Sequence, residues 1–204
     1  MRTPMTVTGA IGATFLLPLR GIIACCVALR IHPNVLTLIG VLVSAGAGWA
    51  LAVGEFRLAG FVMLGASVFD FIDGKVADRL RLASRFGGFW DSVMDRFSDL
   101  FLLIGLIYLY ADLGRTDYVL ITALTLAFSV MTSYSRARAE SIIPLCKVGF
   151  MERPERIVLF MIGAFTNRMA AVLWVILVLS VVTVLDRIYY TWRELRSGDG
   201  QVPA

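Results

Sequence analysis

Apolar residues run along the chain in long blocks separated by short polar stretches. Val35 to Val53, Tyr118 to Tyr134 and Met169 to Leu185 are nearly continuous, and Phe101 to Tyr110 extends upstream as far as Phe86. Leu58 to Phe71 and Ile157 to Phe165 are shorter, and each reaches spanning length only by including charged residues at one end. Crossing a bilayer takes about 20 mostly apolar residues in a helix. The pattern therefore predicts an all-α polytopic membrane protein with six transmembrane helices. Ahead of them, Ala10 to Leu19 and Ile22 to Leu29 form an apolar run broken by Pro18 and Arg20. A signal peptide would be followed by a cleavage site and a soluble mature part, so an interfacial helix lying on the membrane fits better. No internal repeat and no long soluble insertion interrupts the plan. The expectation is one integral-membrane domain over 1–204: an N-terminal interfacial helix in 1–32, a six-helix bundle over 33–190 and a tail over 191–204.

The basic residues give this plan an orientation. Of the 19 Lys and Arg, three precede the first span (Arg2, Arg20, Arg30) and four lie between spans two and three (Lys75, Arg79, Arg81, Arg85). Five more lie between spans four and five (Arg136, Arg138, Lys147, Arg153, Arg156), and three follow the last span (Arg187, Arg193, Arg196). Only Arg57, Arg115 and Arg168 fall on the opposite side, and Arg96 sits inside span three. The bias toward the cytoplasm of basic loops puts both termini and the loop between spans two and three there, in a cell (inner) membrane.

Composition narrows the function classes. At 58% hydrophobic and 17% charged residues, with a mean hydropathy of +0.80, the chain carries too much apolar surface for a soluble globular enzyme. Three Cys, two of them adjacent (Cys25 and Cys26), cannot make a disulfide framework or a tetrahedral thiolate site. A single histidine, His32, removes His-rich metal sites. The net charge of +4 follows the membrane topology and does not point to nucleic acid.

Carboxylates stand where a membrane protein should avoid them. Asp70 and Asp73 are three residues apart at the end of one span, and Asp91 and Asp95 are four apart at the start of the next. On helices such partners share a face, so antiparallel neighbours would aim four carboxylates into one pocket near the cytoplasmic surface. Four acids that close repel strongly unless a cation neutralises them. Oxygen donors without His or Cys suit Mg²⁺, Mn²⁺ or Ca²⁺, and Mg²⁺ held by few carboxylates usually binds together with substrate phosphates. Gly74 and the Gly87-Gly88 pair remove side chains where a ligand could press against the backbone. The alternative is a set of salt bridges to nearby arginines; ionisable residues within spans are more often functional.

The full pattern, Asp70-x2-Asp73-Gly74-x2-Ala77-x9-Gly87-x3-Asp91-x3-Asp95, has seven fixed positions over 26 residues. It resembles the signature of the CDP-alcohol phosphotransferase (class I phosphatidyltransferase) family, and the six-span plan with an N-terminal interfacial helix is similar too. Members transfer a phosphatidyl-type group from a CDP-linked lipid to an alcohol and release CMP. The resemblance implies two divalent ions, Mg²⁺ or Mn²⁺, held by Asp70, Asp73, Asp91 and Asp95, with Asp95 as the base that takes the proton of the attacking hydroxyl. It also implies a donor site including Pro33, Asn34, Thr37, Gly74, Arg79, Ser84 and Gly87, and a homodimer. Pro33-Asn34 reads equally well as ordinary punctuation before a helix. One position departs: the family has Arg directly after the alanine, whereas this chain has Asp78, with Arg79 next.

The acceptor is read from Tyr134-Ser-Arg-Ala-Arg-Ala-Glu140 and Cys146-Lys-Val-Gly-Phe-Met-Glu-Arg-Pro-Glu-Arg156. These resemble the subgroup that makes phosphatidylinositol phosphate or its archaeal ether-lipid counterpart, whose acceptor is inositol 1-phosphate. Arginine suits a phosphate because its planar fork binds two oxygens and stays charged. Arg136 and Arg138 point to different helix faces, which favours Arg136, with Arg153, Arg156 and Arg187 as partners. The alternative for any one of them is an anchor among lipid headgroups; Glu140, Glu152 and Glu155, interspersed, suggest fixed pairing instead. Glycerol 3-phosphate, giving phosphatidylglycerol phosphate, is the nearest rival acceptor, and serine is third. A divalent-cation or proton-coupled transporter is the alternative of another class. Against it stand the carboxylates' place at one membrane face and the lack of related halves.

Overall fold

The computed structural model describes residues 19–198. Among them are seven helices: α1 (Leu19–Ala28), α2 (Pro33–Ala52), α3 (Phe56–Leu80), α4 (Arg85–Asp112), α5 (Thr116–Ala139), α6 (Arg153–Thr166) and α7 (Met169–Gly198). Three of them, α2, α5 and α7, are long and apolar enough to cross a membrane. At 25 and 28 residues, α3 and α4 have the length, but charged residues gather toward their shared end. With 14 residues, α6 is the short one, rising about 21 Å at 1.5 Å per residue. Within the interfacial segment expected over 1–32, α1 is the described helical part, and residues 1–18 lie outside the described residues. At the other end, α7 continues unbroken past residue 190 to Gly198.

Local sequence explains where the helices start and stop. Pro33 opens α2 in the first turn, where its missing amide costs nothing, and His32 caps it by accepting from the Asn34 amide. Ser84 caps α4 by accepting from the Gly87 amide at 3.0 Å. α3 ends on Arg81 and α6 on Asn167, both in the left-handed conformation with φ of 54°.

In the packed bundle α2 lies against α3 and α4, α5 against α4 and α7, and α6 against α3 and α7. Two glycines let α2 and α4 touch backbone to backbone: a Cβ on Gly48 would strike the Phe101 carbonyl, and one on Gly105 would strike the carbonyl of Gly48. Around this contact Leu51, Leu102, Leu103 and Leu106 form the centre of the main core.

Several helices are inverted relative to those of a soluble protein. On α5 the residues facing inward include Thr122, Thr125, Ser129 and Thr132, while Leu120, Leu124, Val130 and Met131 are exposed. On α7, Ser180, Thr183 and Arg187 are buried while Trp174, Val178, Val182 and Leu185 face outward. In lipid the outer surface needs no polar groups, and inward hydroxyls bond their own helix: Thr122 to the Tyr118 carbonyl, Thr125 to that of Ile121 and Thr132 to that of Ser129.

Candidate active site

Polar chemistry gathers at one end of the bundle. It is built from the start of α2, the last turns of α3, the first turns of α4, the end of α5, the start of α6 and the second half of α7. The apolar block that ends at Phe71 does not end its helix: α3 runs on to Leu80, so Asp70 and Asp73 are held on a rigid helix and not in a loop. Asp91 and Asp95 lie on successive turns of α4, set back from its Ser84 cap. Each of these four carboxylates is within electrostatic reach of at least two of the others.

Their partners differ. Asp73 is buried, and its Oδ2 accepts from the Thr37 hydroxyl of α2 at 2.6 Å. Asp70 and Asp95 share one nitrogen: Arg153 Nη1 stands 2.5 Å from Asp70 Oδ2 and 2.9 Å from Asp95 Oδ1. Positive charge from the first residue of α6 thus bridges the carboxylates of α3 and α4. Among the described residues no three Asp, Glu, His or Cys side chains converge into a ready-made metal cage. The donor set nevertheless fits a hard divalent cation. It is all oxygen, it comes from two helices that both pack on α2, and the guanidinium nitrogen between Asp70 and Asp95 marks a place where positive charge is already bound.

Two cavities meet at this row, sharing Gly88 and Asp91. The smaller, about 270 Å³, lies between α2, α3 and α4 and is lined by Pro33, Asn34, Thr37, Asp73, Gly74, Asp78, Ser84 and Gly87 among others. Gly74 forms part of its wall, and a Cβ there would stand in open space, so the backbone is open to a ligand. Six of the seven expected donor-site residues line this cavity. Arg79 is the exception; it sits exposed on the last turn of α3, and its neighbour Asp78 faces the cavity instead. The helix turns by about 100° per residue, so the shift from Arg to Asp at this position replaces a base by an acid with no base moving in.

The larger cavity, about 380 Å³, is lined by Asp91, Asp95, Arg136, Glu140, Glu152, Arg153, Arg156 and Arg187 among others. All four expected acceptor arginines border it, in different states. Arg153 is engaged by Asp70 and Asp95. Arg156 is 2% exposed, with Nη2 donating to Asp99 Oδ2 at 2.6 Å and Nη1 to the Thr132 hydroxyl at 3.1 Å. Arg187 is also buried, donating to the carbonyls of Val148 and Thr132 and to Glu152. Arg136 is partly open and donates to Glu140 and Glu152. Asp99 thus pairs across to α6, while Arg96 bonds Ser92 of its own helix.

Sequence reasoning passed over Thr132. Its signal was present: Thr122, Thr125, Ser129 and Thr132 recur at helical spacing in an otherwise apolar block, marking an inward polar stripe.

A family model described as CDP-alcohol phosphatidyltransferase matches residues 30–186. An archaetidylinositol phosphate synthase of Pyrococcus horikoshii is 35% identical over 182 residues, covering 89% of this chain and 94% of that protein. Among solved structures, the phosphatidylinositol phosphate synthase of Mycobacterium tuberculosis with CDP-DAG bound is similar at a TM-score of 0.79 and 26% identity, over 85% of this chain and 93% of that one. The same enzyme in complex with manganese and citrate matches at a TM-score of 0.79 and 27% identity, over 85% of this chain and 88% of that one.

Proposed function

The chain belongs to the CDP-alcohol phosphatidyltransferase family, and on that footing we propose that it makes a phosphoinositide precursor. It transfers a phosphatidyl-type group from a CDP-linked lipid to the hydroxyl of inositol 1-phosphate and releases CMP. The observation that carries this reading is the pair of adjoining cavities: one holds carboxylates without a base, the other a set of arginines, and Asp91 stands in the wall they share. The 35% identical relative is named for an inositol phosphate product, and a solved neighbour holds CDP-DAG, which supports both halves.

In this reading the smaller cavity takes the CDP end of the donor, with Thr37 fixing the rotamer of Asp73. Asp70, Asp73, Asp91 and Asp95 hold two divalent ions, Mg²⁺ or Mn²⁺, in keeping with the manganese complex of the neighbour. Bound there, such ions would neutralise a pyrophosphate and stabilise the departing CMP. Asp95 faces the larger cavity and takes the proton of the entering hydroxyl; Arg153, within 2.9 Å, holds its carboxylate in place. Arg136 and Arg187 bind the acceptor's phosphate. Arg156, almost wholly buried on Asp99, braces α6 against α4 beneath them.

The six helices α2 to α7 cross the membrane, α1 lies at its surface, and the site and both termini face the cytoplasm across a cell (inner) membrane. The enzyme works as a homodimer. Purified protein is assayed for CMP release from a CDP-lipid with Mg²⁺ or Mn²⁺, offering inositol 1-phosphate, glycerol 3-phosphate, serine and free inositol separately. Turnover confined to inositol 1-phosphate is expected. Preference for another acceptor would overturn the acceptor and keep the carboxylate chemistry, whereas metal flux without CMP release would overturn both.

A further inference from the structure

One acid of the larger cavity has no part in the carboxylate row. Glu152 is the N-cap of α6, yet its side chain makes no bond to the leading amides of that helix. Its Oε1 instead accepts from Arg136 Nη1 at 2.7 Å and from Arg187 Nη2 at 3.3 Å. Both guanidiniums have anchors of their own. Arg187 gives Nε to the Val148 carbonyl at 3.0 Å and Nη1 to the Thr132 carbonyl. Arg136 gives Nε to Glu140 Oε1 at 3.2 Å, and that oxygen also accepts from the Cys146 amide. The side chain of Glu152, by contrast, is 41% exposed. Arg187 is held from its buried side, Arg136 has Glu140 as a second partner, and Glu152 is the most exposed of the three, with no side-chain bond besides these two among the described residues.

Two guanidinium groups, each with a partner of its own, that converge on one oxygen at a cavity wall form a seat for an oxyanion. We propose that Glu152 is a specificity-determining placeholder: its carboxylate occupies the seat of the acceptor's phosphate and yields it when a phosphate monoester enters. The inference rests on the reading above that the acceptor carries a phosphate. A phosphate monoester brings more charge and more oxygens than the carboxylate, so it displaces Glu152 toward solvent. A neutral polyol or a zwitterion brings no net charge and leaves the seat filled. Glu152 is then the repulsive element against incomplete acceptors, because specificity is a difference of affinities. The exchange also never leaves the buried Arg187 without a counter-charge, the state that costs most.

The test uses the full chain in detergent micelles, inorganic phosphate as probe, and the variants Glu152→Gln and Glu152→Ser. Serine caps a helix well and is too short to reach the arginines, so it guards against a folding failure. Two quantities are read: the rise in unfolding temperature with phosphate, and the inhibition constant of phosphate against CMP release. Both variants are expected to bind phosphate about tenfold more tightly than wild type, the scale of one charge-assisted hydrogen bond's competition removed. Without phosphate both unfold earlier, and phosphate restores more of the loss than it adds to wild type. Equal or weaker phosphate binding in the variants, with wild type still using inositol 1-phosphate, overturns the placeholder and leaves the acceptor reading standing. Wild type that turns over only unphosphorylated alcohols overturns both.

Discussion

Asp99→Asn isolates the buried brace beneath the larger cavity. The side chains of Asp99 and Arg156 are 6% and 2% exposed and meet at 2.6 Å, and among the described residues the guanidinium of Arg156 has one further hydrogen bond, to the Thr132 hydroxyl. The substitution preserves volume, so no cavity term enters. What changes is that a guanidinium with almost no access to water loses its counter-charge. Breaking a buried pair from one side costs about 3–5 kcal/mol. Arg156→Met should cost a similar amount, since it strands the carboxylate. The double variant Asp99→Leu with Arg156→Met removes both charges and keeps apolar volume, and such replacements are often neutral or stabilising by about 1–4 kcal/mol. Reversible unfolding in mixed micelles, followed by tryptophan fluorescence, gives these values, and the single variant Asp99→Leu measured beside them closes the cycle that yields the coupling. The acceptor KM of the double variant separates a brace from a ligand-gripping role for Arg156. Single variants that cost less than about 1 kcal/mol, or a double variant that loses the sum of the two, would refute the brace.

Other substitutions address the two cavities and the helix contact. Thr37→Val keeps the shape of the side chain but removes the 2.6 Å bond to Asp73; CMP release should fall about tenfold, the scale of one hydrogen bond to a charged group, with little change in unfolding temperature. Arg153→Gln withdraws the charge shared by Asp70 and Asp95, and kcat for CMP release should drop about a hundredfold, as when a positioned donor is lost from an active site. Asp78→Arg places a base in a cavity whose described lining has none, so KM for the CDP-lipid should fall by about tenfold in steady-state assays. Gly105→Ala drives a methyl into the Gly48 carbonyl; the unfolding midpoint in denaturing detergent should fall by the equivalent of about 1–3 kcal/mol.

How much of this was legible in the sequence depends on the range of the interaction. The aspartates could be grouped because spacings of three and four on a helix place side chains on one face, a relation that local geometry settles. The end of α3 could not be read in the same way. Hydropathy stops at Phe71, whereas the helix runs on to Leu80, because helical hydrogen bonding continues past the apolar block once packing has begun. The arginines were harder still. Arg153 reaches Asp70 across 83 positions, and Arg156 reaches Asp99 across 57. No periodicity encodes such pairs; they follow from which helix ends the bundle brings together. The interspersed Glu140, Glu152 and Glu155 suggest fixed pairing; the first two are bonded to Arg136, whereas Glu155 makes no ion pair among the described residues.

The two cavities divide the problem of handling anions in opposite ways. The smaller holds Asp73, Asp78 and Asp91 with no Lys or Arg in its described lining, so a pyrophosphate approaching it meets only negative charge. Binding there has to be carried by divalent cations, and it should follow their concentration steeply. The larger cavity instead sets Arg96, Arg136, Arg153, Arg156 and Arg187 against Asp91, Asp95, Asp99, Glu140 and Glu152. In the proposal above its anion seat is Arg136 and Arg187, neutralised by Glu152 and apart from the metal-binding carboxylates, so it would exchange one negative group for another without help from metal. Asp78 sharpens the contrast, because it adds a further acid to a wall whose described lining has no base. A donor site dependent on cations next to an acceptor site that is not means that metal depletion should raise the KM for the CDP-lipid while phosphate binding at Arg136 and Arg187 persists. That asymmetry is a consequence of which side chains line which wall, and it holds whichever phosphorylated alcohol the larger cavity accepts.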